Sequence, residues 1–296
     1  MRACVIFNPA AKGQKAERFL RLLDAVAKDC TLKRTRGPGD ARRLAAEAVR
    51  EGFERVIAAG GDGTLNEVLN GLGDVSDGFA RACLGVLPLG TVNVFAREIG
   101  IPRKPEMAWE QLSQGRETRV DLPCVEFSNQ GRTERRYFVQ LAGAGLDARA
   151  IELVSWPLKK KIGPLAYVIA GLKALFEDLP PITVRAGSRT EVCELALVGN
   201  GRRYGGEFAL CPNADLRDGL LDLCLFPRAN VRTLARCSLP LLLRGTVPAA
   251  VVRLLQAPTF TLDSSVPVPF ELDGELTGHL PATFSVVPGG LRVLAG

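Results

Sequence analysis

Ala58-Ala59-Gly60-Gly61-Asp62-Gly63-Thr64-Leu65-Asn66-Glu67 is the stretch on which the reading of this chain turns. A buried strand over residues 55–59 runs into a glycine turn that opens directly into a helix, and such a junction makes a seat for phosphate. Glycine lets the backbone pass close to an anion, and the unpaired N–H groups of the helix start then face the ligand. Asp62 sharpens the expectation. A carboxylate among phosphate-binding amides repels a polyphosphate unless a cation lies between them, so the turn points to Mg²⁺-nucleotide. The competing account is an ordinary strand-to-helix turn with Asp62 or Thr64 as helix cap.

Outward from this turn, residues 3–7, 31–35, 55–59 and 84–87 read as strands, and residues 16–28, 40–51 and 65–72 as helices between them. Alternation of this kind predicts a parallel α/β sheet. Ligands of such sheets collect beyond the carboxyl ends of the strands, where Asn8, Thr35, the glycine turn and Pro88-Leu89-Gly90-Thr91 all fall. From about Cys124 the pattern changes to short strands, over 125–127, 136–141, 182–185, 192–198, 208–211, 220–226, 259–263 and 270–273. That half reads as an antiparallel β domain. A length of 296 residues also exceeds what one core usually holds and predicts two domains.

Hydrophobic residues make up 47% and charged residues 24%, the balance of a globular protein. A net charge of +6 favours anionic partners, whether nucleotide phosphates or acidic lipid headgroups. With three Tyr, two Trp and no basic run interleaved with aromatics, a base-stacking nucleic-acid surface has little support and no nucleic-acid partner is expected. The eight cysteines lie far apart without a C-x-x-C pair and read as small core residues of a reducing compartment. His279 is the only histidine, which removes zinc sets and imidazole triads and leaves it a surface turn residue. After Arg2 only five apolar residues precede Asn8-Pro9, too few for a secretory leader, so a cytoplasmic location is expected.

Residues 163–179 and 239–255 are apolar but shorter than the ~20 residues a bilayer crossing needs, and they carry Lys173, Glu177, Arg244 and Arg253. Residues 159–179, opening on Lys159-Lys160-Lys161, suit either an interfacial, substrate-gating helix or a buried helix with a solvated lysine flank. No P-loop pattern occurs. Gly143-Ala144-Gly145-Leu146-Asp147-Ala148 matches the dinucleotide fingerprint but lacks an acid about 20 residues on, and reads as a tight turn lining the crevice.

Asn8-Pro9 with Gly13, the glycine turn, Leu87-Pro88-Leu89-Gly90-Thr91-Val92-Asn93, Asp218-Gly219 and Leu272-Asp273-Gly274-Glu275 together resemble the diacylglycerol kinase catalytic family of bacterial lipid kinases, with sphingosine kinases as more distant relatives. The set runs in the family's order over nearly the whole chain. The glycine turn alone is shared with NAD kinases and phosphofructokinases. The resemblance implies an N-terminal α/β nucleotide domain over 1–124, completed by a returning segment 284–296, and an all-β sandwich over 125–283 for the lipid. It implies ATP and Mg²⁺, with Asn8, Pro9, Lys12, Thr35, Gly60, Gly61, Asp62, Gly63, Thr64, Leu65, Asn66, Thr91 and Asn93 around the nucleotide. Asp215, Asp218 and Leu220 resemble the family's structural Mg²⁺ loop, Asp218 by its carboxylate and the others by backbone carbonyls. An ordinary hairpin turn is the competing account of Asp218-Gly219.

Phosphoryl transfer needs a carboxylate to orient the attacking hydroxyl and accept its proton. Asp273 is the first candidate and Glu275 the second, against a plain Asp-Gly hairpin turn. Many members of the family carry an acid where this chain has Val94, which leaves Asp62 and Asp121 for a Mg²⁺-water network. The resulting expectation is an ATP-dependent kinase acting on a diacylglycerol-like or sphingoid lipid at an anionic membrane surface, with homodimers common in the family. Val94 motivates a catalytically impaired nucleotide- or lipid-binding regulator, and the shared glycine turn motivates a kinase of NAD kinase type.

Overall fold

A computed structural model describes residues 2–10, 19, 30–153, 173–174, 177, 179–206 and 208–295. Lys12, Gly13, nearly all of the helix expected over 16–28 and most of 159–179 lie outside the described residues. Four parallel strands open the chain: β1 (Ala3–Phe7), β2 (Thr31–Arg34), β3 (Arg55–Gly60) and β4 (Cys83–Pro88), in the order β2-β1-β3-β4. β1, β3 and β4 are buried along almost their whole length, as strands covered on both faces must be. Helix α1 (Asp40–Arg50) buries Ala41, Leu44, Ala45, Ala48 and Val49, a spacing of three and four that lays one apolar stripe on the sheet. Helices α2 (Asp62–Gly73), α3 (Gly78–Arg81), α4 (Val94–Glu98) and α5 (Pro105–Gln114) complete this part.

Two 13-residue strands, β5 (Glu117–Asn129) and β18 (Ala282–Leu294), pair antiparallel over their length and carry the sheet into the second half. β18 reaches β4 through Val293 and Leu84, while its first residues pair with β15 (Thr259–Asp263). β8 (Ile182–Ala186) and β9 (Arg189–Cys193) extend this sheet beyond β15, and β6 (Arg132–Tyr137) flanks β5. A second, antiparallel sheet has the order β14 (Arg253–Ala257), β13 (Leu221–Phe226), β10 (Leu195–Gly199), β7 (Leu141–Gly145), β16 (Pro269–Leu272), β17 (Glu275–His279). The sheets face each other through rings such as Phe127 on Phe270 and Phe284 on Phe270, with centroids 5.1 and 6.0 Å apart. On the outer face of the second sheet lie α6 (Leu146–Leu153) and α7 (Val231–Arg244), beside the short hairpin of β11 (Arg203–Tyr204) and β12 (Phe208–Ala209). The architecture is an α/β half with a mostly parallel sheet, followed by an antiparallel β sandwich.

Several local expectations change. Residues 136–141 are not one strand, because the amides of Val139, Gln140 and Leu141 turn to the Asp273 carboxylate and leave the ladder between β6 and β7. Residues 192–198 divide at Glu194 between the two sheets, as β9 and β10. The stretch 239–255 holds the end of α7, a loop and the start of β14. Gly143 to Ala148 is not a tight turn: it is the centre of the second sheet running into α6, and its small residues make room for carboxyl groups described below. Seven of the eight cysteines, Cys30 excepted, are free and buried. His279 closes β17, exposed. No helix among the described residues is long and apolar enough to cross a membrane.

Candidate active site

At the end of β3 the chain passes through Gly61, which caps α2 in extended conformation (φ −97°, ψ −171°) and offers no side chain to the helix amides. The loop after β4 closes onto it: Leu89 and Gly90 donate their N–H groups to the Gly60 carbonyl at 2.8 and 3.1 Å. A Cβ on Gly90 would stand 2.6 Å from the Gly61 Cα, so the two backbones approach as only glycine allows. Asn8 donates from Nδ2 to the Thr64 hydroxyl at 3.0 Å and accepts from the Ala10 amide at 2.9 Å across Pro9. Thr35, buried, donates its N–H to the Phe7 carbonyl at 2.9 Å. Asn8, Pro9, Thr35, residues 60–65 and Thr91 thus gather beyond the carboxyl ends of β1–β4, around a helix N-terminus with no side-chain cap.

Asp62 bonds its own amide and the loop after β4. Its Oδ2 accepts from the Asn93 N–H at 2.9 Å and its Oδ1 from the Val94 N–H at 2.8 Å, which starts α4. Asn93, in left-handed conformation at φ 52°, donates from Nδ2 to the Gly90 carbonyl at 2.6 Å. Burial pushes the Asp62 carboxyl above its ordinary value, and the Val94 and Asn93 amides and Arg97 draw it back. A half-buried carboxylate of this kind fits a divalent cation held between it and phosphate oxygens. Among the described residues Asp121 shares no hydrogen-bond partner with it: its oxygens accept the amides of Gly219 and Gly289, each at 2.7 Å. Asp121 thereby secures the exposed loop of Asp215, Asp218 and Leu220, in which Asp218 Oδ1 accepts the Leu220 N–H at 2.9 Å and its other oxygen has no partner among the described residues. Among the described residues no group of three or more His, Cys, Asp or Glu side chains could hold a metal.

Opposite α2, β16 and β17 are joined by Asp273 and Gly274 at φ 51° and 90°, a two-residue turn with both residues left-handed. The Asp273 carboxylate is fully engaged. Oδ1 accepts from the amides of Gln140 and Leu141 at 3.0 and 3.1 Å, and Oδ2 from the Val139 amide at 3.0 Å and Asn66 Nδ2 at 3.2 Å. Burial raises its pKa and these donors lower it. Asn66 is therefore directed to Asp273, and Asn70 donates to the Tyr137 carbonyl at 3.0 Å and accepts its amide at 3.0 Å. Glu275 is exposed and lies over the start of α2, where a Cβ on Gly63 would run into its Oε1.

Behind this turn sits a cluster with no sequence motif of its own. Tyr204 donates its hydroxyl to Asp147, Asp147 and Glu271 are hydrogen bonded to each other, and Glu271 accepts the Gly274 amide. Two buried carboxyls in contact must share a proton. Burial, then the Asp147 charge, keeps Glu271 well above the ordinary carboxyl range, so Glu271 holds that proton. A Cβ on Gly143 would run into both acids. Glu98 and Gln140 were equally unmarked, yet Gln140 donates from Nε2 to Glu98 at 3.2 Å, and Arg202 Nε reaches Glu98 at 3.2 Å. Asn70 carried one signal, an amide one helical turn after Asn66 on the otherwise apolar side of α2.

Residues 2–125 match the family model of the diacylglycerol kinase catalytic domain, and residues 140–295 match the YegS C-terminal NAD kinase beta sandwich-like domain. A Pseudomonas aeruginosa protein named "Probable lipid kinase YegS-like" is 36% identical over 261 residues, covering 86% of this chain and 81% of that protein. A Bacillus subtilis diacylglycerol kinase is 31% identical over 292 residues, 96% of this chain and 92% of that protein. The crystal structure of a diacylglycerol kinase from Bacillus anthracis superposes with a TM-score of 0.74 at 19% identity, covering 100% and 97% of the two chains, a likeness of fold. Matched in both halves and over most of its length, the chain belongs to the diacylglycerol kinase catalytic-domain family of lipid kinases.

Proposed function

We propose that the protein transfers the γ-phosphoryl group of ATP to a hydroxyl of a diacylglycerol-like or sphingoid lipid. One observation carries this reading: an exposed acid, Glu275, lies against Gly63 at a glycine-lined helix N-terminus whose cap residue, Gly61, has no side chain. The uncapped amides would hold the triphosphate, and Mg²⁺, held by Asp62 with the phosphates, would neutralise their charge. The nucleotide lobe is assigned to 1–124 with 284–296 and the acceptor lobe to 125–283. Asp218, with an open oxygen, and the Asp215 and Leu220 carbonyls are assigned to a structural Mg²⁺. Glu275 takes the acceptor's proton. Asp273, with four donors on its carboxylate, positions the turn that presents Glu275 and ties it to Asn66 of α2.

Incubation with γ-labelled ATP, Mg²⁺ and vesicles of mixed lipids tests this directly. Label is expected in lipid. Label in NAD would establish the NAD kinase type instead, and no label at all the impaired regulator. Glu275→Gln should lower turnover by about 10²- to 10⁴-fold with MgATP affinity retained. Full turnover in that variant removes Glu275 from the proton transfer.

A further inference from the structure

The outer helix α7 has an exposed face of unusual composition. Residues 223–262, in which α7 lies, contain five arginines and neither Asp nor Glu. On α7, Cys237 is buried against the second sheet, whereas Leu239 and Leu243 are 62% and 74% exposed. At ~100° per residue, Arg232, Arg236, Leu239 and Leu243 fall within about 60° of arc, on the side away from Cys237. Both arginines are exposed, and neither makes an ion pair among the described residues, in contrast to Arg228 with Glu194 at 2.6 Å. The face thus joins two unpaired guanidinium groups near the helix start to two bare leucines one turn apart near its end.

We infer that this face of α7 docks the protein onto an anionic lipid bilayer, an inference that builds on the lipid-kinase reading and gives it a membrane contact. Leucines gain by entering the acyl boundary while arginines meet lipid phosphates just above it, which is the pattern of a helix lying in the interface. A second copy of the chain fits the face poorly. Two-fold contact would set Arg232 and Arg236 against their own equivalents, with no acid on the patch to pair them. A nucleic acid would leave the leucines uncovered, and α7 carries no aromatic residue for stacking.

The test is cosedimentation with vesicles free of acceptor lipid and without ATP, either pure phosphatidylcholine or phosphatidylcholine with phosphatidylglycerol. The full chain should bind the phosphatidylglycerol vesicles and lose binding as salt is raised. Leu239→Asp with Leu243→Asp, and separately Arg232→Glu with Arg236→Glu, should each weaken binding at least tenfold. Both pairs should leave the Tm and the phosphorylation of a short-chain, water-soluble acceptor unchanged. Equal binding by the full chain and both variants overturns the inference. So does a dimer that the leucine variant converts to monomer while vesicle binding persists, which would make the face a self-association surface. Vesicle binding lost in the variants of a protein that phosphorylates no lipid would sink the kinase reading and leave the docking face standing.

Discussion

Helices α1 and α2 begin in nearly the same way and end up with opposite uses for their first turns. Each is entered through a glycine with no side-chain cap, Gly39 or Gly61, and each has an aspartate as first residue, Asp40 or Asp62. In both, that aspartate also bonds outside its helix, Asp40 to the Arg36 amide and Asp62 to those of Asn93 and Val94. At α1 the exposed amides are filled from inside the protein: Glu67, on α2, accepts the Gly39 and Ala41 N–H groups, both at 2.9 Å. At α2 the cap residue, Gly61, has no side chain to do so, and among the described residues no carboxylate from another helix is bonded to the amides of its first turn. A helix N-terminus attracts an anion in either case, and whether it is structural or functional depends on whether the fold supplies that anion. Glu67 belongs to the same glycine-turn motif as the open amides, so one motif serves both ends.

The largest effect should come from disturbing the open end. In Gly90→Ala the new methyl meets the Gly61 backbone rather than the tip of a flexible side chain, so the turn itself must shift. Misplacement by about 1 Å costs about 10²-fold in rate at a site of this kind, and MgATP affinity measured by calorimetry should fall as well. Unchanged affinity would mean that the nucleotide does not sit on α2. The filled end should respond in stability instead. Glu67→Ala removes a cap worth about 1 to 2 kcal/mol, a Tm loss of about 2–4 °C. Because the variant leaves α1 as open as α2, inorganic phosphate should restore more Tm to it than to the parent protein. Equal shifts in the two would break the comparison, since α1 would then not be an anion seat at all.

This contrast marks what the sequence could and could not tell. The glycine turn, the alternation of the first half and the ordered motifs are local, and each depends on residues within a few positions of one another. Glu67 looks like any half-buried helix acid until its partners, Gly39 and Ala41, are brought to it from another helix. Asp273 reads as a hairpin turn or a base, and its grip on three amides near Val139 joins segments more than a hundred residues apart. Gly143 to Ala148 misleads for a related reason. Small residues that admit a pyrophosphate also admit two buried carboxyls beside a strand, and only the sheet distinguishes them. β5 and β18 escape alternation rules because each runs from one environment into another along 13 residues.

Glu271 extends the comparison to a carboxyl that fills an internal slot by staying neutral. Its oxygen accepts the Gly274 amide, and its proton goes to Asp147, whose other partner is the Tyr204 hydroxyl. In the unfolded chain Glu271 returns to an ordinary carboxyl value of about 4.5. Its folded value is raised, so its favourable contribution is complete below the unfolded value and is lost as pH rises toward the folded one. Glu271→Gln can donate to Asp147 and accept from Gly274 with no proton to lose. The two proteins should therefore melt at similar temperatures near pH 5, with the variant gaining steadily over the parent as pH rises toward 8. Asp147 and Asp273 are raised as well and remain in both proteins, so the variant keeps part of the slope. Parallel melting curves across this range would show that the pair binds no proton the fold depends on. The Asp273–Glu275 turn would then be held by its amide bonds alone.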